Sequence, residues 1–222
     1  QANNYLFIFP GEGQTPIQWD GNWSGAFIAV PASTLGAGFE SIPESNQATY
    51  TQNRLWVVNG KDNVAASDIL DFEEYDEIAN DFNLNTGSSD YIVRTYPFGE
   101  NGLVVFKHAS SILLQNVQGD LSAITATEIT RQLGIIGINA VTAVGADLIY
   151  MSDRNITSIS LNLNNQLQAA TQPLSRNIKS IMGRVNWNYA TKVSMAYWDN
   201  KLFVALPLDN ATSCNAIVVY NF

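Results

Sequence analysis

Five times along this chain a turn residue, most often Asn or Asp, leads into a Leu and a short apolar run, followed by a polar turn and a second β-rich run. The runs are Asn4-Tyr5-Leu6-Phe7-Ile8, Asn53-Arg54-Leu55-Trp56-Val57-Val58, Asn101-Gly102-Leu103-Val104-Val105-Phe106, Asp147-Leu148-Ile149-Tyr150-Met151 and Asn200-Lys201-Leu202-Phe203-Val204-Ala205. The leucines at 6, 55, 103, 148 and 202 are 49, 48, 45 and 54 residues apart. A period near 50 with several strands per unit is the mark of propeller blades. Each blade is a twisted antiparallel sheet with both faces covered, so its central strands read as unbroken apolar runs rather than as alternation. Asn and Gly at the turns supply the positive φ that tight hairpins need. The expectation is an all-β protein, a β-propeller of about five blades with antiparallel sheets. The alternative is a β-sandwich with evenly spaced strands.

Two segments break the strand pattern. Asp68 to Glu77 is acidic and predicts a surface loop or short helical turn between the second and third repeats. From Pro173 to Trp187 the residues Ile178, Ile181, Met182 and Val185 fall at helical spacing, and Ser175 stands where an N-cap belongs. One short helix near 175–187 is therefore expected.

Composition narrows the function. With 222 residues, residues 1–222 are read as a single propeller domain. Only 14% of residues are charged and the net charge is -9, so phosphate-backbone binding is not expected and any DNA contact is incidental. The one cysteine, Cys214, and the one histidine, His108, exclude intrachain disulfides and multi-Cys or His-pair metal sites. No apolar stretch is long enough to span a bilayer as a helix. The chain opens on Gln1 rather than Met and stops at Phe222, which reads as part of a longer polypeptide.

The search for chemistry yields little. Nine acidic residues fall between Asp62 and Asp90, but Asp68 to Glu77 lacks the spacing of a calcium loop. A glycosidase would need two carboxylates facing each other, for which Asp20, Asp62, Asp90, Asp147 and Asp199 are the candidates. Asp147 and Asp199 sit where Asn stands in other repeats, which favours a turn role. His108 lies at a hairpin turn beside serines, with no nucleophile elbow in the chain, and Cys214 lies in a polar loop. Gly11-Glu12-Gly13 has no helix after it, so it is no dinucleotide loop. No cofactor or metal is expected, and the chain is read as non-enzymatic. Trp beside Asn and Asp is what sugar-stacking sites use, although packing between blades also consumes Trp. Trp19, Trp23 and Trp187, with Asp71, Glu73 and Glu74 of the acidic loop, are the candidate contacts for a ligand or partner.

The wording of the repeats carries a further likeness. The ordered series Trp19-Asp20-Gly21, Asn53-Arg54-Leu55-Trp56-Val57, Ser67-Asp68-Ile69-Leu70-Asp71-Phe72, Tyr96-Pro97-Phe98, Gly145-Ala146-Asp147-Leu148-Ile149-Tyr150, Pro173-Leu174-Ser175 and Val218-Val219-Tyr220-Asn221 resembles the β-propeller of tailed-bacteriophage virion proteins. Those are the tail nozzle, or tail tubular, proteins and related tail-hub propellers. That resemblance implies a virion structural protein of the tail or head-to-tail connector, partnered by copies of itself in a ring and by other tail proteins. The alternative is a carbohydrate-binding propeller that recognises a host surface glycan, and a glycosidase stands behind that.

Overall fold

The computed structural model describes residues 5–11, 13–22, 25–153, 155–165 and 173–222. Asn4 of the first repeat, Glu12, Trp23 and Arg154 lie outside the described residues. The strands in chain order are β1 (Leu6–Ile8), β2 (Ile17–Trp19), β3 (Ile28–Ala29), β4 (Phe39–Glu40), β5 (Ala48–Thr51), β6 (Arg54–Asn59), β7 (Asn63–Ala66), β8 (Tyr75–Asp76) and β9 (Asp81–Asn83). They continue with β10 (Ile92–Phe98), β11 (Gly102–Lys107), β12 (Ser111–Gln115), β13 (Thr125–Thr130), β14 (Val141–Val144), β15 (Asp147–Met151), β16 (Ile156–Ser158), β17 (Ser194–Trp198), β18 (Lys201–Leu206) and β19 (Ala216–Asn221). The protein is all-β, with several antiparallel sheets and few helices. Its sheets run β1-β2-β3, β5-β6-β7-β9, β10-β11-β12-β13, β14-β15-β16 and β17-β18-β19, with β4 pairing β8.

Each anchoring leucine falls in a different one of the five larger sheets. Leu55, Leu103, Leu148 and Leu202 are each the second residue of a strand with neighbours on both sides, and all four are buried. Leu6 departs from this: β1 is a three-residue edge strand, and Leu6 is exposed. The turn residues before the leucines behave as their chemistry requires. Gln52 and Asn53 (φ 54° and 59°) and Asp199 and Asn200 (φ 49° and 58°) form two-residue hairpin turns closed by the pairs Thr51–Arg54 and Trp198–Lys201. In both, a tyrosine three residues earlier donates to the Asn side chain, Tyr50 to Asn53 at 3.2 Å and Tyr197 to Asn200 at 3.1 Å. The carbonyls of Asn53, Asn101 and Asn200 accept from the N–H groups of Leu70, Asn116 and Phe222, tying each turn to a later part of its own repeat.

The chain divides into two compact units, one of residues up to Val105 with Leu114–Ala126, the other of Phe106–Leu113 with Thr127–Phe222. In the first, Val30, Ile42, Leu55, Val57, Ala65, Phe72 and Tyr75 form a buried cluster against which Phe7, Phe9 and Tyr50 pack. Phe72 receives the rings of Phe7 and Tyr50 edge-on at 5.7 and 5.9 Å. In the second, Phe106 and Tyr150 pack at 4.9 Å, and the Tyr150 hydroxyl donates to the Leu133 carbonyl at 3.0 Å while accepting from the Asn162 amide at 2.6 Å.

Two local expectations need correction. The acidic segment is not a solvated loop: Phe72, Glu74 and Tyr75 are buried, and Tyr75–Asp76 is a strand. The core needs the two aromatic rings, and the segment is pinned inward by them. The helix near 175–187 is broken into a 3-10 turn (Leu174–Ile178) and one α-helical turn, which follows α1 (Ile159–Asn165) as α2 (Lys179–Met182). A second 3-10 stretch, Trp187–Lys192, comes after it. Pro173 occupies the N-cap position, whereas Ser175 is buried inside the turn and accepts from the Ile156 N–H at 3.1 Å. Arg184 and Asp209 close the segment onto the loop after β18 with a two-bonded ion pair at 2.9 and 2.7 Å. Helix α1 starts at Ile159, directly after β16 (Ile156–Ser158). The Asp147 carboxylate accepts from the Ser160 N–H and the Ser158 hydroxyl from the Leu161 N–H, and this capping turns the chain.

Gly134 abuts the carbonyls of Lys107 and His108 so closely that a Cβ would collide with backbone, whereas a Cβ on Gly183 would meet ordinary contacts at 3.5 Å or more. Gly134→Ala is expected to lower stability by about 1–3 kcal/mol. Gly183→Ala, at an α-helical φ of -68°, should leave it unchanged or raise it by up to about 1 kcal/mol. Urea denaturation of the two variants measures the contrast.

Candidate functional site

The connection between β7 and β9, Ser67 to Asn80, carries three of the six candidate contacts, Asp71, Glu73 and Glu74, and burial separates them. Glu74 points inward. Its carboxylate accepts from the Thr34 N–H at 2.8 Å, the Thr34 hydroxyl at 3.2 Å and the Ser33 hydroxyl. Burial pushes its pKa up, but the donors of Ser33, Thr34 and Leu35 outweigh that and hold it below the ordinary glutamate value. Glu74 is thus a clamp on the 33–35 loop rather than the accessible contact expected of it.

Asp71 and Glu73 do meet, in a cleft of about 270 Å3. The buried Gln18 amide donates to Glu73 Oε1 at 3.2 Å, and Asp71 Oδ1 accepts from the Glu73 N–H at 3.3 Å. Tyr5, Phe7 and Phe72 supply aromatic walls, Leu70 lines it too, and among the described residues no Lys or Arg lines the cleft. Leu70 has φ 60°, a left-handed backbone that a Leu adopts only at a cost. Asn116, which makes the equivalent bond to the third repeat's turn, has φ 62° and pays little for it.

The tryptophans do not gather there. Trp19 is half-buried, its ring 5.7 Å from Phe27 and its Nε1 donating to the Asn22 carbonyl at 3.0 Å. Trp187 is exposed in the second unit, at the start of its 3-10 stretch, and Trp23 lies outside the described residues. The carboxylates considered for a glycosidase pair are held locally. Asp20 accepts from the Asn22 N–H and amide, Asp90 from the Tyr91 N–H, Asp147 from Leu148 and Ser160, and Asp199 pairs with Lys201. Asp62 lies in the β6–β7 turn. Among the described residues no group of three or more His, Cys, Asp or Glu could hold a metal ion. Burial raises the pKa of Cys214, which works against a thiolate. Among the same residues no helix is long and apolar enough to cross a membrane.

A second concavity in the first unit, about 450 Å3, went unread in the sequence. Arg54 lies in its wall, buried, with its guanidinium donating to the Ser67 carbonyl at 2.5 Å and the Gly119 carbonyl at 3.1 Å. Burial lowers its pKa, opposed by the charges of Asp68 and Asp120. Asn80, Asp81, Phe82 and Asp120 join it, with Ile78 and Ile124 on the apolar side. The sequence signal was available in Arg54, a cation inside an otherwise apolar strand.

No protein-family model matches this chain, and no curated protein matches it in sequence. Among solved structures it is similar to BamB from Moraxella catarrhalis, at 10% identity and TM-score 0.46, with 91% of this chain and 54% of that one covered. It is similar to an exported protein from Bacteroides fragilis at 13% identity and TM-score 0.49, covering 100% of this chain and 69% of that one. It is also similar to the extracellular domain of a hybrid two-component system from B. thetaiotaomicron at 15% identity and TM-score 0.52, covering 100% of this chain and 33% of that one. The chain thus spans about half the length of the first of these. The third likeness shows a shared fold and nothing of activity.

The third of these overturns the resemblance to tailed-phage tail propellers, and with it the expected place in a virion: it is a bacterial extracellular domain, not a phage tail protein. The reason lies in the motifs. A turn residue followed by Leu and an aliphatic run is what any tight hairpin entering a fully covered strand requires, so such wording reports geometry shared by unrelated β proteins.

Leu70 is half exposed and loses little packing when replaced. Leu70→Asn is expected to raise unfolding stability by about 1 kcal/mol, because Asn tolerates the left-handed backbone. A drop in the urea midpoint would show instead that the Leu side chain matters more than its backbone.

Proposed function

We propose that this chain is a non-enzymatic binding module of the β-propeller type, with about five blade-like repeats, that works by contact with other proteins. The recurrence of one leucine per sheet, with the same Asn turn tied to a later part of its repeat, supports the propeller reading. The observation that carries the function is the cleft of Asp71 and Glu73. Two carboxylates stand over aromatic walls with no cation among the lining residues. Such a setting attracts a lysine or arginine side chain, which gains charge-assisted hydrogen bonds from the carboxylates and a cation–π contact from an exposed ring such as Tyr5. Its volume suits one such side chain rather than a folded element. Gln18 holds Glu73 in place, so the cleft is formed before the partner arrives.

The test is titration of the protein with short peptides carrying Lys, Arg, norleucine or Glu at one central position, read by 15N chemical-shift changes. Lys and Arg peptides are expected to shift Gln18, Asp71 and Glu73 while the others do not. The double variant Asp71→Asn, Glu73→Gln should weaken that binding by about tenfold or more, and 0.5 M salt should weaken it as well. Equal binding of the norleucine peptide would sink the proposal.

Glu74 offers a separate check that the carboxylates of this segment have different roles. Its folded-state pKa lies below the ordinary 4.5, so its stabilising contribution is complete above pH 4.5 and is lost as pH falls through the lower folded value. Glu74→Gln is expected to cost about 1–2 kcal/mol at pH 7 and to flatten the acid limb of the stability curve, without altering peptide binding. Denaturation midpoints between pH 3 and 7 measure this.

A further inference from the structure

We infer that the outer edge of β19 is a docking site for an extended segment of another polypeptide, which joins the β17-β18-β19 sheet as a fourth, antiparallel strand. The second and third repeats show what covers such an edge. There β7 and β12 each carry a fourth strand, β9 and β13, whereas no described strand pairs with the outer side of β19. Setting Leu202 on Leu55 matches the pairs Ala205–Ile217 and Phe203–Val219 to the pairs Val58–Val64 and Trp56–Ala66. Val64 and Ala66 are fully buried, yet Ile217 is 67% exposed and Val219 48%.

The backbone of β19 is set for the same pairing. Its Phe222 N–H donates to the Asn200 carbonyl at 3.2 Å. The alternation of an antiparallel ladder then turns the N–H and C=O groups of Tyr220 and Val218 toward β18, and those of Ile217, Val219 and Asn221 away from it. In the second repeat the matching residues face β9: the Ala66 N–H donates to the Asn80 carbonyl at 2.8 Å, and Val64 pairs with Phe82. Edges are ordinarily blunted by charge, proline or a bulge. Of the edge strands of six or more residues among the described ones, β10 carries Arg94 and Pro97 and β13 carries Glu128. β19 has no charge and no proline, and its register with β18 is unbroken.

The second repeat also defines the chemistry of the occupant. Phe82 of β9 stands opposite Val64 with its ring 5.8 Å from Trp56, and polar residues, Asp81 and Asn83, flank it. Phe203 holds the place of Trp56 in the fifth repeat and is only half-buried. The segment that fits therefore brings one large apolar side chain opposite Ile217, over Phe203, between polar neighbours. A second copy pairing through its own β19 about Val219 would set Asn221 against Ile217, so it does not supply that side chain. The edge belongs to the second unit and the Asp71–Glu73 cleft to the first.

The probe is an octapeptide with the sequence of Ile78 to Asn85, which spans β9 and contains no Lys or Arg, titrated into the 15N-labelled whole chain. It is expected to bind with a dissociation constant of about 1 mM or below. At saturation, hydrogen exchange of the Ile217, Val219 and Asn221 amides should slow about tenfold or more, while the Val218 and Tyr220 amides, already bonded to β18, keep their rates. A peptide with Phe82→Ser should bind about tenfold more weakly. In the protein, Val219→Pro removes an outward N–H and no bond to β18, and it should weaken binding about tenfold; Ile217→Lys should weaken it several-fold. Both positions are exposed, and circular dichroism melts confirm that the variants fold. The double variant Asp71→Asn, Glu73→Gln should leave this binding unchanged, so that the edge and the basic-peptide cleft stand or fall separately. No binding, equal binding of the Phe82→Ser peptide, or binding that Val219→Pro and Ile217→Lys leave intact would overturn the proposal. So would a concentration-dependent dimer, seen by sedimentation and abolished by Val219→Pro, which would give the edge to a second copy.

Discussion

The backbone of β11 is buried along its whole length, Gly102 to Lys107, so every N–H and C=O group in it has to find a partner inside the protein. Strands β6 and β15 are nearly as well covered. A strand in that position cannot be an edge, and its side chains cannot alternate between apolar and polar. It must enter and leave through turns short enough to keep both neighbours in register. That requirement produces the antiparallel meanders and places Asn, Asp and Gly before the leucines, and charge enters these three strands only at their ends, as Arg54, Lys107 and Asp147. The low charge of the chain fits that requirement, since the fully covered centres of β6, β11 and β15 hold no charged residue.

The turns then have a second task. Asn53, Asn101 and Asn200 each offer a carbonyl to an N–H further along the same repeat, so the geometry of a two-residue hairpin also fixes where that later segment runs. In the second repeat this forces Leu70 into a left-handed backbone that Asn116 adopts in the third. The strain at Leu70 is a consequence of repeat architecture meeting a residue ill-suited to it. It need not signal function on its own account.

Much of this could be read in the residues. The five leucines, their spacing and the identity of the turn residues gave the antiparallel sheets, because those depend on local rules. What failed depended on long-range partners. The acidic segment looked solvated since Asp68, Asp71, Glu73, Glu74, Asp76 and Glu77 dominate it, yet Phe72 and Tyr75 belong to the core and drag Glu74 with them to meet Ser33 and Thr34, some forty residues away. Helix α1 begins where the Asp147 carboxylate, twelve residues before it, accepts from the Ser160 N–H, a cap that no local pattern announces. Arg54 follows the turn residue Asn53 in the second repeat. Its burial depends on the carbonyl of Gly119, which no local pattern points to. The phage resemblance failed for the opposite reason, as its motifs were local enough to arise in any protein built of such hairpins.

Both clefts draw on one connection. Between β7 and β9 the chain takes fourteen residues, Ser67 to Asn80, whereas the corresponding step from β12 to β13 takes nine, Asn116 to Ile124. The longer path contributes Leu70 to Glu73 to one cleft and Ile78 to Asn80 to the other, with Phe72 and Tyr75 buried between them. A connection pinned at its middle by two core aromatics presents its flanks as rigid surfaces, the arrangement in which binding residues are best held, on loops positioned by a scaffold. The two flanks also differ in charge logic, carboxylates without a cation on one side and carboxylates around a buried guanidinium on the other. Because one extended connection lines both clefts, truncating it to the length found between β12 and β13 would remove cleft-lining residues and core aromatics together, so point substitutions at the flanks are the changes that separate binding from folding.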